Sequence, residues 1–239
     1  MGDEPSAVVA DLAPSGVLRA SINLGNPVLA QGTAADPGGV TVDLARELAA
    51  RLGVTAELLC FDAARKAFEA LTSGQTDVGF LAIEPAREAE VAFTAPYVVI
   101  EGVFAVPADS PIAELADVDR EGVRIGVKQG SAYDLFLTRT LKHATVVRAH
   151  DGVDGFLEQG LDVAAGIRAP LEDFVAGTPG FRLIEPRFMQ IQQAVGIVRG
   201  HEEASVEFLR AAVEELKASG FVADALRRSN QPSATVPTQ

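Results

Sequence analysis

Tryptophan is absent from this chain, and cysteine, histidine and basic residues are scarce. The single cysteine, Cys60, excludes an internal disulfide. It sits in the apolar run Ala56–Phe61 with no CxxC partner, so it reads as a buried, inert thiol. The three histidines, His143, His150 and His201, are scattered without ligand spacing and read as surface residues. No metal site and no cofactor are expected. No Ser/His/Asp or Cys/His set and no phosphate loop occur. No run of ~18 apolar residues occurs, so no membrane insertion is expected.

Lysine and arginine number 20 against 33 acidic residues, a net charge of −13. Nucleic acid needs a basic face, so it is excluded as a partner. An anionic membrane surface would repel the chain. Solubility is the plain reading of this charge, and an anionic ligand would need a local cationic spot. Residues Met1–Pro14 carry acids and no positive stretch, which is not a signal peptide. The expectation is a cytoplasmic chain unless a leader was removed.

What is present is a regular alternation. Val17–Asn23 is a strand, Gln31–Gly39 a loop, and Val42–Leu52 a helix closed by Gly53. Val54–Phe61 is a strand, Ala63–Ser73 a helix stopped by Gly74, and Asp77–Ile83 a buried strand. Strand and helix in turn argue for parallel α/β units. Val98–Val106 is a long extended run, followed by a loop over Pro107–Asp119. A second α/β unit follows: strand Val123–Val127, helix Ala132–Leu141, strand Thr145–Arg148, helix Gly152–Gln159, strand Val163–Ile167 and helix Pro170–Ala176. Arg182–Ile184 and Ile191–Val198 are extended, and Glu202–Ser219 and Phe221–Arg228 are helices. The tail, residues 230–239, is polar with two prolines and is expected to be disordered.

The two long extended runs bracket the second unit. The chain would leave one lobe, build another and return, giving lobes of 1–100 with 195–239 and of 103–192. Two crossing strands make a natural hinge beside a cleft.

Read by residue type alone, Arg87 forms a surface ion pair with Glu84, Glu88 or Glu90. Ser131 is the N-cap of the helix it precedes, with Asp134 three residues on. Gly130, Ser131 and Ala132 also offer the free N–H groups of a helix start, which suit an anion. Arg168 pairs with Glu172 one helical turn on. A buried lone Glu101 would hint at acid/base work.

The order GVLRASINLGN, GGVTVDLARELAARLGV, FEALTSGQTDVGF, EPAREAEVAFTAPYV and VRIGVKQGSAYDLFL resembles the family-3 extracellular solute-binding proteins, the polar amino-acid receptors of ABC importers. The likeness runs from about Val17 to Ala225. Its strongest pieces are Ser73-Gly74-x-x-Asp77 and Pro85-Ala86-Arg87 leading to Phe93-Thr94-x-Pro96-Tyr97. It implies an α/β, two-lobed type II periplasmic-binding-protein fold, with mainly parallel sheets flanked by helices and hinge strands near Glu101-Gly102 and Gln192–Ala194. It implies a ligand carboxylate gripped by Arg87, whose planar fork suits it, with Gly130, Ser131 and Ala132 assisting. Ala82, Asn26, Glu101 and Gln192 join the candidate set.

Three departures stand out. Phe80–Glu84 lacks the hydroxyls usual before the arginine. Gly166, Ile167 and Arg168 stand where an acid for the ligand ammonium is expected. No aromatic lies in Asn23–Gln31. With Arg168 as a second cationic grip, an acid without an amine, or a dicarboxylate, would be favoured over an α-amino acid.

The expected function is binding of a small polar or anionic solute for delivery to an ABC permease, by a monomer without enzymatic activity. The alternatives are a cyclohexadienyl-dehydratase-like lyase, with Glu101, Glu84 or Lys128 as acid, and a cytoplasmic ligand sensor.

Overall fold

A computed structural model describes residues 4–238. The chain divides into two compact units, Met1–Val99 with Gln192–Gln239, and Ile100–Ile191.

The first unit opens with helix α1 (Glu4–Leu12), which sequence periodicity did not reveal. It leads to β1 (Val17–Asn23), a two-residue hairpin β2 (Gln31–Gly32) and β3 (Pro37–Gly38), helix α2 (Val40–Leu52), β4 (Thr55–Phe61), α3 (Ala64–Thr72) and β5 (Val78–Ala82). A one-turn helix α4 (Pro85–Glu88), the short β6 (Val91–Phe93) and the long β7 (Val98–Pro107) follow. In the second unit come β8 (Arg124–Lys128), α5 (Ala132–Thr140), β9 (Thr145–Ala149), α6 (Gly152–Glu158), β10 (Val163–Ile167) and α7 (Arg168–Gly177), and β11 (Phe181–Val198) begins there and runs on into the first unit from Gln192. Helices α8 (Glu203–Ala218) and α9 (Phe221–Arg228) return to the first unit.

In the first unit β1 pairs in parallel with both β4 and β5, while β11 runs antiparallel to β5 and β6. Helix α2 buries Val42, Leu44, Ala45, Leu48, Ala49 and Leu52, the face its periodicity marks out. It ends at Gly53, whose φ of 72° is the left-handed cap that glycine adopts without steric cost. In the second unit β8 lies between β9 and β10, parallel to both, and β10 runs antiparallel to β7.

The Ser73-Gly74-x-x-Asp77 motif has a structural task. Gly74 turns the chain out of α3 with φ 75°. Asp77 then accepts from the Arg19 backbone N–H at 2.8 Å, from its Nε at 3.0 Å and from its terminal nitrogen at 2.5 Å, and its own N–H returns a bond to Arg19 O at 2.8 Å. This clamp sets the register of β5 against β1. Phe93-Thr94-x-Pro96-Tyr97 does the same for β11. Thr94 and Val195 exchange backbone bonds through Thr94 N and Oγ1, and Tyr97 N–H donates to Gln193 O. The Tyr97 ring is fully buried, edge-on to Phe80, with its hydroxyl 3.5 Å from Thr41 Oγ1. Burial raises its phenol pKa.

Several expectations need correction. The loop expected over Gln31–Gly39 contains the β2–β3 hairpin. Arg182–Ile184 and Ile191–Val198 belong to one continuous strand, since pairing on both sides outweighs the charged stretch between them. The tail expected to be disordered is tied down. Val99 N–H donates to Thr235 O at 2.8 Å and Thr235 N–H to Val99 O at 3.0 Å. The physical reason is that this edge of β7 offers unpaired backbone groups, which the tail satisfies. Gln239 lies outside the described residues. His201 is half-buried, with Nδ1 3.1 Å from Asp11 Oδ1, while His143 and His150 are exposed. Cys60 is half-buried, and that burial raises its thiol pKa.

Thr235→Pro deletes the donor to Val99 O. The Val99 amide is expected to lose protection against hydrogen exchange by about tenfold, since a net backbone bond contributes about 1 kcal/mol, while amides of the central β1 stay protected.

Candidate ligand-binding site

Strands β1, β4 and β5 are parallel, so their carboxyl ends, Asn23, Phe61 and Ala82, open on one edge. Ligands of α/β sheets bind at that edge. Two candidates sit on the chain leaving these strands. Asn26 is buried after β1, where its Oδ1 accepts from Val28 N–H at 3.2 Å and its carbonyl from Leu29 and Ala30 N–H, both at 3.1 Å. It builds the loop that precedes the hairpin.

Arg87 follows β5. The segment from Ile83 carries the chain from β5 to β6, which both pair with β11. Ile83 N–H donates to Gln192 O at 2.9 Å, so Gln192 is fixed to the start of this segment through its backbone while its side chain is exposed. Gln193, next along, is buried. Glu84 precedes Pro85 in an extended conformation, and its carbonyl accepts from Arg87 N–H at 2.8 Å and Glu88 N–H at 3.0 Å, closing the single turn of α4.

Arg87 is not a surface residue. It is 3% exposed, and Glu84 is 4% exposed. Its guanidinium donates to the carbonyl of Ala82 at 3.1 Å. Burial pulls its pKa down to about 10, and the charge of Glu84 works in the opposite direction. It therefore stays cationic at neutral pH. The burial of Glu84 was not read from the sequence, where it counted as a surface partner of Arg87 or as a candidate acid in the lyase alternative. The signal for it is the apolar run Phe80–Ile83 immediately before it, which marks a buried strand end.

In the second unit, Ser131 caps α5 by accepting from Asp134 N–H at 3.1 Å. Asp134 accepts from Gly130 N–H at 2.8 Å rather than from the cap residue's own amide. Arg148 Nε lies 3.0 Å from each Asp134 oxygen, and Thr138 Oγ1 donates to Oδ1 at 3.1 Å. Ala132 and Tyr133 begin the helix and are buried, and burial raises the Tyr133 phenol pKa.

Arg168 begins α7. Its fork meets Glu185 at 2.6 and 2.9 Å, its Nε meets Glu101 at 2.6 Å, and Glu172 lies at 3.4 Å. Arg187 reaches the other Glu101 oxygen at 3.1 Å. Glu101 is thus neither lone nor fully buried. It accepts from two guanidinium groups, those of Arg168 and Arg187. Arg168 is engaged on both edges by carboxylates, so the second cationic grip is already matched. Hydrogen bonding by Glu185 raises the Arg168 pKa, and Arg168 in turn holds Glu185 below its ordinary value. Gly166, in the stretch where an acid was sought, packs closely against Leu171. A Cβ there would stand 3.0 Å from Leu171 Cγ.

Residues 24–229 match the family described as bacterial extracellular solute-binding proteins, family 3. The chain belongs to this family. Its members bind small solutes and work with ABC transporters, and it is a family of binding proteins rather than enzymes. Among solved structures, the chain resembles a mutant of the arginine-binding protein ArgBP from T. maritima at 23% identity and TM-score 0.76, covering 93% of this chain and 99% of that one. It resembles the solute receptor for L-cysteine of Neisseria gonorrhoeae at 20% identity and TM-score 0.78, covering 95% and 94%. It also resembles the ancestral amino-acid-binding protein AncCDT-1, a precursor of cyclohexadienyl dehydratase, at 18% identity and TM-score 0.73, covering 92% and 98%. These likenesses establish the type II periplasmic-binding-protein fold. Among the described residues no helix is long and apolar enough to cross a membrane, and no group of three or more potential metal ligands occurs.

The Arg168–Glu185 pair makes a pH-dependent contribution. Glu185 is held below its ordinary value of 4.5 in the fold, so the pairing stabilises above that value and is lost as pH falls through the lowered one. Glu185 is 61% exposed on its side chain, so solvent screening limits the coupling to about 1 kcal/mol or less. A double-mutant cycle with Arg168→Gln and Glu185→Gln should show it at pH 7 and show it diminish as pH falls below 4.5.

Proposed function

We propose that this protein binds a small carboxylate-bearing, amino-acid-like solute and delivers it to an ABC permease, acting as a monomer. The observation that carries this reading is the buried guanidinium of Arg87 at the carboxyl end of β5. A buried cation costs several kcal/mol unless it is matched. A bidentate carboxylate is the partner its planar fork suits best. The structural neighbours described as binding arginine and L-cysteine favour amino-acid-like chemistry.

Ala82 takes part by orienting the guanidinium through its carbonyl. Gly130, Ser131 and Ala132 at the start of α5 remain in the proposal as anion donors. Asn26 and Gln192 remain as amide groups on the segments next to Arg87, one before the hairpin and one beside Ile83. Glu101 and Arg168 are assigned by contrast to the ion cluster they form with each other.

Calorimetric titration with the standard L-amino acids and the deaminated acid of each tests this reading. At least one should bind the wild type, and Arg87→Ala should weaken that binding by a hundredfold or more, because the ligand carboxylate would be desolvated without its charged partner, a loss of about 3 kcal/mol. Arg87→Lys should retain part of the affinity, since an ammonium keeps the charge but not the fork. Binding unchanged in Arg87→Ala would remove Arg87 from the site.

A further inference from the structure

We infer that the C-terminal segment is a detachable strap that stiffens strand β7 where the chain passes from the first compact unit to the second. The inference does not depend on which solute the protein binds.

The segment after α9 is not part of the core. None of residues 231–238 is buried, so the apolar burial that orders most of the chain is missing here. Ordering these residues costs conformational entropy, and hydrogen bonds at two points offset it. At the near end Asn230, left-handed with φ 54°, turns the chain out of α9, and Gln231 N–H donates to Leu226 O at 3.0 Å. At the far end Val99 and Thr235 exchange both backbone bonds, and Thr235 Oγ1 donates to Val99 O at 3.3 Å. Between these points the segment stands off the helix and leaves a cavity of about 560 Å³, whose lining includes Leu226, Arg227, Pro232 and Val236. A segment held by so few bonds, and partly or fully exposed along its length, opens locally without unfolding the rest of the chain.

The far anchor sits at a particular place. Val99 is the last residue of the first unit on this strand, and Ile100 is the first of the second. Beyond that boundary β7 is fastened at once. Glu101 accepts from Arg168 at 2.6 Å and from Arg187 at 3.1 Å. Met189 Cγ and Phe188 Cζ stand 2.7 and 3.1 Å from where a Cβ on Gly102 would be, and β10 pairs with β7 from Gly102 onward. Ile100 alone, itself buried, separates the hold on Val99 from these contacts. An extended strand has no slack between successive residues, so a constraint on Val99 is felt at Glu101 and Gly102. The strap differs from these other fastenings in that it can come off without opening the core. Attached, it fixes β7 on the near side of the boundary. Detached, it leaves the strand free to bend there.

Residue-resolved hydrogen exchange on the full chain, on a chain ending at Gln231 and on Thr235→Pro tests this. The truncation should speed exchange at Val99 by about tenfold or more, and at residues 100–103 by about threefold or more, while amides of β1 and β8 keep their rates. Thr235→Pro keeps the chain length but removes one anchor bond, and it should reproduce the same pattern with smaller factors beyond Val99. Acceleration confined to Val99 in both variants overturns the stiffening, because the tail would then do no more than cover a strand edge. Unchanged exchange at Val99 overturns the strap itself. Acceleration that extends equally to β1 and β8 assigns the tail to the stability of the whole chain and overturns the proposal. A truncated chain that does not fold does the same, since a detachable segment is dispensable for folding.

Discussion

A guanidinium removed from water must find its counter-charge within the protein or in a ligand, and Arg87 imposes that constraint on the segment around it. Desolvation of a cation costs several kcal/mol even after relaxation, and it draws Arg87 down to about 10. The surrounding sequence answers in two ways. Glu84 supplies the opposite charge, and the Ala82 carbonyl supplies an acceptor at 3.1 Å. For these to stand where they do, β5 must end at a fixed register. The Asp77–Arg19 clamp fixes its start, and the pairing of Ala82 with Gln193 fixes its end. Thr94 and Tyr97 then fasten the outgoing chain to β11. The motifs on either side of Arg87 are the supports of its position.

The ion cluster in the second unit has the opposite character. Arg168, Arg187, Glu101, Glu172 and Glu185 are at the surface or only partly covered, and each guanidinium meets at least one carboxylate. Charges in that state are weak individually and are screened by salt. What the cluster does is tie the first turn of α7 to strands β7 and β11. A cation already bonded on two edges has little to offer an anion.

Much of the fold was legible because period and punctuation agreed. The face of α2 follows from Val42, Leu44, Ala45, Leu48 and Leu52, and its end from Gly53. Strand β10 and helix α9 begin and end where apolar pattern and turn residues place them. The misses share a cause, which is that tertiary pairing decided them. The two-residue strands β2 and β3, the continuity of β11 and the seating of the tail on Val99 come from partners distant in sequence. Helix α1 packs on α8 and is anchored there by Asp11, which accepts from Glu202 N–H at 3.1 Å. The site was partly legible. Arg87 stood out through its motif and the Arg168–Glu172 contact through its spacing, whereas the burial of Glu84 and the engagement of Arg168 by Glu101 and Glu185 could not be read from spacing. A carboxylate one turn from an arginine looks the same in sequence whether water or protein surrounds it.

The net charge of −13 bears on the same point. Such a chain opposes the approach of an anion at low ionic strength, but at physiological salt the field falls off over about 8 Å. Discrimination between a zwitterion and an anion must therefore arise from charges within that distance of the ligand. Among those, a buried pair counts for more than any number of solvated acids, because low polarity strengthens each interaction. A zwitterion has no net charge for the acidic surface to repel.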